Sequence, residues 1–518
     1  MLIAALSCVL QASATPPVDL VVVAPRAFVP ALTPYLEHRR GRLGCELLVL
    51  EDALAAHEGV DEAERLKRAL YERWRAGRRY VLLVGDADRL PVRYMMLDRV
   101  TPAACDVAFY GSDLYYGDLA RPDGSFDDWN ARKDGEHGAY FGEVHGERHK
   151  DGPINFDGID YLPEVGVGRW PVSSVAELEA LVAKSLAHEN ESRVAVPSSM
   201  ALLVVPGWVD ASPAFDDVVR ACPGWRTLRR GFGDGSGGVD GEAVATLLCG
   251  GVDLLVHAGH GSPNGFDGSL CLTDLPRLRD RRRLPIVLSA GCSTAYFATL
   301  PPYEDYVDVR GVRHAGTDRG ERFTAPPPAP ACLQPADLDR GGFGERMLLG
   351  PGGAIAYFGC DTGAQPCALT LVGEFAKSIA RGNGRLGDAW RTAVTRYFER
   401  ERLAELEPTE SWYPPSVFFQ AMKFVLFGDP SLPLPESASV GEDRPQAEPA
   451  QTEPAQTEPA KTETPVRARR RGGPGSRPRS RRPRSRTSTR RSSPASAACP
   501  SACRTSPVVR RPSRRRAC

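Results

Sequence analysis

Two residues of this chain stand where chemistry would need them: His260, at the end of G-G-V-D-L-L-V-H-A-G-H-G, and Cys292, at the end of L-P-I-V-L-S-A-G-C. Each closes a short Val/Leu/Ile-rich run, as a buried parallel strand does when it delivers a side chain to a sheet edge. A cysteine attacks as its thiolate; a neighbouring imidazole lowers the thiol pKa and later protonates a leaving amine. Their separation of 32 positions is enough for a crossover between parallel strands. Gly261 and Gly291 let backbone approach a substrate, and the Gly261 and Cys292 amides are candidates for an oxyanion hole. A single strand-end cysteine is more often a small buried hydrophobe, and a single histidine there is usually just hydrogen-bonded. Two of them, each beside a glycine, point to catalysis. His257 opens a rival reading, a metal-dependent hydrolase using His257 and His260, although their spacing straddles a strand end and not a helical turn.

The elements that must position this pair alternate strand and helix. From Asp19 the pattern predicts strand (D-L-V-V-V-A-P), helix (Pro30 to Arg40), strand (C-E-L-L-V-L), helix (Asp61 to Arg75) and strand (Y-V-L-L-V-G-D). A second unit follows: strand V-G-V-G-R-W, helix Ser173 to Asn190, strand A-L-L-V-V-P, helices near Phe215 to Ala221 and Gly241 to Leu248, and then the two reactive strands. Helix Phe343 to Leu349, strand A-I-A-Y-F-G, helices Leu369 to Ala380 and Leu386 to Leu403, and a final helix Ser416 to Phe427 complete the order. The fold class is α/β, with two parallel-sheet subdomains flanked by helices, at 17–170 and 171–434.

Between Pro91 and Pro163 lies an excursion longer than packing requires. Asp113, Asp118, Asp123, Asp127, Asp128, Asp134 and Glu136 supply hard oxygens among glycines, a candidate Ca²⁺ set, although the strict twelve-residue calcium loop is absent and a solvated acidic loop reads equally well. Residues 1–16 carry an apolar stretch and a small-x-small site at Ala12 to Ala14, which resembles a secretory signal lacking its basic start. Residues 435–518 are low in complexity, E-P-A-Q-T repeats and then a segment with 18 Arg and no Asp, Glu or Lys, and are expected to be disordered. Because the whole chain is formally neutral, the part before Val466 carries a net charge of −18. The arginines suit an anionic partner, nucleic acid or a membrane surface, unless a GC-rich gene has simply lost its frame there. The 13 cysteines include no C-x-x-C pair, which argues against a zinc ribbon or dense disulfide framework. No stretch approaches the roughly 18 apolar residues of a membrane span.

The ordered set Y-V-L-L-V-G-D, S-D-L-Y-Y-G-D, P-E-V-G-V-G-R-W-P, H-A-G-H-G-S, L-S-A-G-C and L-F-G-D-P-S-L, spread over most of residues 19–434, resembles the gingipain-type cysteine peptidases, family C25 of the caspase-like clan. The resemblance implies a caspase-like fold, a secreted or cell-surface bacterial endopeptidase acting on proteins or peptides, His260 and Cys292 as the dyad, and the Gly261 and Cys292 amides as oxyanion hole. It implies no catalytic cofactor, and structural Ca²⁺ is typical of the family. Two departures stand out. The acid that orients the family's histidine has only Asp210 as a counterpart. The acid of an Arg-specific P1 pocket falls near Asp216 or Asp217, while an aromatic pocket wall is replaced by Gly363 or Ala364. The missing acid motivates the alternative of a catalytically inactive C25-like surface or binding protein.

Overall fold

The computed structural model describes residues 19–98, 109–129, 140–141, 154–155, 158–190, 197–232, 237–278, 283–298, 306–307, 313–314, 341–382, 384–407 and 413–435. The signal-like segment, Asp134, Glu136 and the Arg-rich tail lie outside these residues.

Ten short segments become strands of one sheet: β1 (Leu20–Ala24), β2 (Cys45–Val49), β3 (Tyr80–Val84), β4 (Gly166–Trp170), β5 (Ser199–Val204), β6 (Arg226–Arg230), β7 (Leu254–Ala258), β8 (Ile286–Ser289), β9 (Ala356–Cys360) and β10 (Phe424–Phe427). Their order is β2-β1-β3-β4-β10-β9-β8-β7-β5-β6, and every pairing is parallel except β9 with β10. The 17–170 and 171–434 segments are therefore two halves of one continuous sheet. In the interior strands β1, β3, β4, β5, β7, β8, β9 and β10 every residue is buried, which is why they read as unbroken apolar runs and not as alternation.

Helices cover the faces: α1 (Val29–Arg40), α2 (Glu62–Arg75), α3 (Val175–Asn190), α4 (Ser212–Ala221), α5 (Gly241–Cys249), α6 (Phe343–Leu349), α7 (Ala368–Ala380) and α8 (Leu386–Arg400). Local signals explain their starts. Asp61 accepts from the Glu64 N–H at the head of α2, and Asp240 accepts from the Ala243 N–H at the head of α5. No helix among the described residues is long and apolar enough to cross a membrane.

One expectation needs correction, and one strand has no expectation to match. The predicted last helix is a helix only over Tyr413–Phe419, followed by a 3₁₀ turn; Phe424–Phe427 is β10. A four-residue apolar run fits a buried helix and a buried strand equally, and here tertiary pairing decides. Strand β6, R-T-L-R-R, carries no apolar run at all because it sits at the sheet's edge, where charge suits the strand.

The acidic excursion is partly ordered against the sheet. Arg169 of β4, wholly buried, donates through Nε and Nη2 to both oxygens of Asp113 at 2.7 and 2.6 Å, and through Nη1 to the Gly85 carbonyl at 2.8 Å. This bidentate pair ties the excursion to the middle of the sheet.

Candidate active site

Adjacent parallel strands β7 and β8 run in register, with Leu254 opposite Ile286 and His257 opposite Ser289. His260 and Cys292 each lie three residues past that last pair, at equivalent positions beyond the C-terminal edge of the sheet. The loops that carry them touch through backbone. A Cβ placed on Gly261 would lie 2.9 Å from the Cys292 carbonyl oxygen and 2.5 Å from Thr294 Cγ2, and one on Gly291 would lie 3.3 Å from the Gly261 Cα. Only glycine permits that approach, which explains the residue type beside each reactive group. Ser293, just after the cysteine, has φ +50°, a strained left-handed conformation for a residue with a side chain, and its N–H donates to the Thr362 carbonyl at 2.7 Å.

Flanking strand ends complete the surroundings. His260 is half-buried, and its Nε2 donates to the Gly207 carbonyl, at 3.0 Å, in the loop after β5. A carbonyl only accepts, so in the neutral ring the proton is on Nε2 and Nδ1 is the basic nitrogen. Half-buried Cys292 has its Sγ 3.4 Å from the Ala364 amide nitrogen and 3.6 Å from the Ala364 carbonyl oxygen, in the loop after β9. Four strands, β5, β7, β8 and β9, thus bring Gly207, His260, Cys292 and Ala364 to one stretch of sheet edge, the usual place for a site in a parallel sheet.

Beneath this surface lies His257, sealed from solvent and stacked on Phe266 with ring centroids 3.8 Å apart. Burial pushes its imidazole down to about 3, so it is neutral at any ordinary pH. Its Nδ1 lies 3.0 Å from Ser289 Oγ.

A search of curated protein sequences returned no match. The family model described as peptidase family C25 matches residues 13–435. The chain belongs to peptidase family C25. Membership makes it a cysteine-type endopeptidase by family. Among solved structures it is similar to the Arg-specific cysteine proteinase gingipain R (RgpB), at 13% identity and TM-score 0.50, over 80% of this chain and 78% of that one. The complex of Porphyromonas gingivalis RgpB pro- and mature domains matches at 15% identity and TM-score 0.50, over 80% and 79% of the two chains. A structure described only as a protease matches at 14% identity and TM-score 0.53, over 81% and 78%. At such identities the likeness speaks to the fold.

The acids that the sequence places near His260 and Cys292 are engaged elsewhere. Asp210 is exposed and accepts from the Ser212 N–H at 2.9 Å, which holds its carboxyl below the usual range; the group on His260 is the Gly207 carbonyl. Asp216 pairs with Arg229 at 2.6 Å. Asp217 pairs with Lys377 at 2.6 Å and Arg400 at 3.6 Å. Neither stands as an unengaged acid for a P1 pocket. The carboxylates of the excursion are also engaged by protein groups. Asp113 binds Arg169, Asp118 accepts from Trp129 Nε1 at 2.9 Å, Asp123 accepts from Ser125, Asp127 accepts from the Trp129 N–H, and Asp128 lies 3.7 Å from Arg121. Among the described residues no group of three or more His, Cys, Asp and Glu side chains comes together to hold a metal. Gly207 was missed in the sequence because a backbone carbonyl has no residue type to betray it; the P-G turn after an apolar run was its only trace.

Proposed function

We propose that this C25 chain hydrolyses peptide bonds through a Cys292–His260 dyad and a thioester intermediate. The observation that supports it is the register of β7 and β8, which sets both residues three positions past a paired end with their glycines in backbone contact. His260 Nδ1 takes the Cys292 thiol proton, and the thiolate attacks the substrate carbonyl. The Gly261 and Cys292 amides stabilise the oxyanion that develops, a role in which loss of one donor costs about 10²–10³ in rate. As the intermediate collapses, the imidazolium gives its proton to the departing amine. Water, deprotonated by the same nitrogen, then cleaves the acyl-enzyme. The Gly207 carbonyl does the orienting work that a carboxylate does elsewhere: it fixes the tautomer and steadies the imidazolium. An inactive scaffold is correspondingly less well supported than the sequence departures suggest.

Substrate choice separates this reading from the gingipain R comparison. With Asp216 and Asp217 held in ion pairs, a P1 arginine preference carried by them is not supported. The proposal predicts that iodoacetamide at neutral pH inactivates the enzyme while a chelator does not abolish turnover, and that Cys292→Ala and His260→Ala each lose cleavage of a mixed peptide library. Cleavage by Cys292→Ala at the parent rate would sink it.

A further inference from the structure

The neutral histidine under the dyad has a role of its own. Ser289 Oγ accepts the Gly291 N–H at 3.1 Å, lies 3.1 Å from Thr294 Oγ1 and 3.0 Å from His257 Nδ1. Thr294 Oγ1 in turn lies 3.4 Å from the Gly291 carbonyl oxygen, to which it can donate. One tautomer of His257 closes this network: Nδ1–H donates to Ser289 Oγ, Ser289 to Thr294 Oγ1 and Thr294 to the Gly291 carbonyl, whereas an accepting Nδ1 would draw the single Thr294 proton to Ser289 and away from that carbonyl. The Tyr357 hydroxyl lies beside the same Ser289–Thr294 pair.

The network holds both backbone polar groups of Gly291, the residue before Cys292. The Gly291 N–H is turned down toward Ser289, and the Gly291 carbonyl is turned down toward Thr294. In a planar trans peptide the C=O and the following N–H point in opposite directions. Holding the Gly291 carbonyl toward the interior therefore aims the Cys292 N–H away from Thr294, outward to where an oxyanion would form. Sterics add to this. The His257 ring fits against both glycine-bearing loops: a Cβ on Gly291 would lie 3.1 Å from its Cε1, and one on Gly259 would lie 2.9 Å from its Nε2.

We propose that His257, acting through Ser289 and Thr294, is a positioning residue that orients the Cys292 amide as an oxyanion donor, an inference that rests on the cysteine-peptidase reading of Cys292. The ring supplies a fixed polar anchor under the turn; it touches no substrate and exchanges no proton in the reaction.

The test uses the full chain with His257→Phe, which keeps the stacking on Phe266 but removes the polar anchor, and His257→Asn, whose amide offers a donor or an acceptor near the position of Nδ1. Two rates are measured: peptide-library turnover, and alkylation of Cys292 by iodoacetamide, a displacement in which no oxyanion forms. The expected result is a kcat lowered about 10- to 100-fold in His257→Phe with KM little changed, alkylation near the parent rate, and recovery to within about threefold in His257→Asn. Should His257→Phe fail to fold, Ser289→Ala interrupts the same network from the other side and must show the same split. The inference is overturned if turnover stays at the parent level, if turnover and alkylation fall together, or if His257→Asn does no better than His257→Phe. If instead the parent itself neither turns over peptide nor alkylates at Cys292 faster than at its buried thiols, the cysteine-peptidase reading fails first.

Discussion

Replacing Gly261 by Ala is the most direct probe of how closely the two reactive loops are held. The added methyl would meet Thr294 Cγ2 at 2.5 Å, the Cys292 carbonyl oxygen at 2.9 Å and the Gly291 carbonyl carbon at 3.2 Å. Carbon atoms prefer about 3.5–4.0 Å, so the Thr294 contact alone is about 1 Å too short. Thr294 cannot simply swing away, because it is buried and its hydroxyl is bonded to Ser289. The strain is relieved by parting the His260 and Cys292 loops. Overpacking of this kind costs about 1–3 kcal/mol of stability, little enough for a domain of this size to stay folded. A displacement near 1 Å at reacting groups costs about 10²-fold in rate, and that is the expected fall in kcat/KM on a mixed peptide library. Gly41→Ala serves as control, since its Cβ would meet only the His38 carbonyl at 3.9 Å. If Gly261→Ala melts cooperatively and keeps kcat/KM within about threefold of the parent, the backbone contact does not set the dyad and the argument fails.

Two other outcomes follow from buried charge. Arg169→Met strips the bidentate partner from Asp113, which is 4% exposed, and urea unfolding should show a loss of about 3–5 kcal/mol, partly recovered when Asp113→Asn is added; no recovery in the double variant would mean the cost lies in packing. Asp361 is wholly buried, accepting the Gly111 N–H at 3.1 Å, and burial raises its carboxyl well above the usual range. It therefore keeps its proton in the folded state at pH values where the unfolded chain has lost it. Its contribution to stability is full below the ordinary carboxyl pKa and declines as pH rises from there toward the folded value. Asp361→Asn removes that decline, so the variant should gain stability relative to the parent between pH 4 and pH 8; an unchanged difference between the two across that range would refute the assignment.

Much of this site is legible in the residues. The strands bearing His260 and Cys292 show as apolar runs because both faces of the sheet are covered, and glycines mark the backbone contact. Asp61 and Asp240 announce α2 and α5 before any apolar periodicity does. What is not legible depends on partners distant in sequence. Phe424–Phe427 becomes a strand only because β4 and β9 lie on either side of it. The carbonyl of Gly207 meets His260 across 53 residues, and its function belongs to backbone geometry. Asp216 and Asp217 look available in the sequence, since nothing local reveals Arg229, Lys377 and Arg400. His257 invites a metal reading as one half of H-x-x-H; strand pairing sends it inward to Ser289.

Strand β10 carries a consequence for how the molecule comes into being. It is the last strand among the described residues, yet it occupies the middle of the sheet, between Gly166–Trp170 and Ala356–Cys360. During synthesis, each half of the sheet can assemble as it emerges, but both halves present an open edge to the other until residue 427 has left the ribosome. The loop after β9 that flanks Cys292 is fastened to this same late segment: the Asp361 N–H donates to the Lys423 carbonyl at 2.8 Å, and Lys423 Nζ donates to the Gly363 carbonyl at 2.5 Å. The wall beside Cys292 is thus fastened only once β10 is in place.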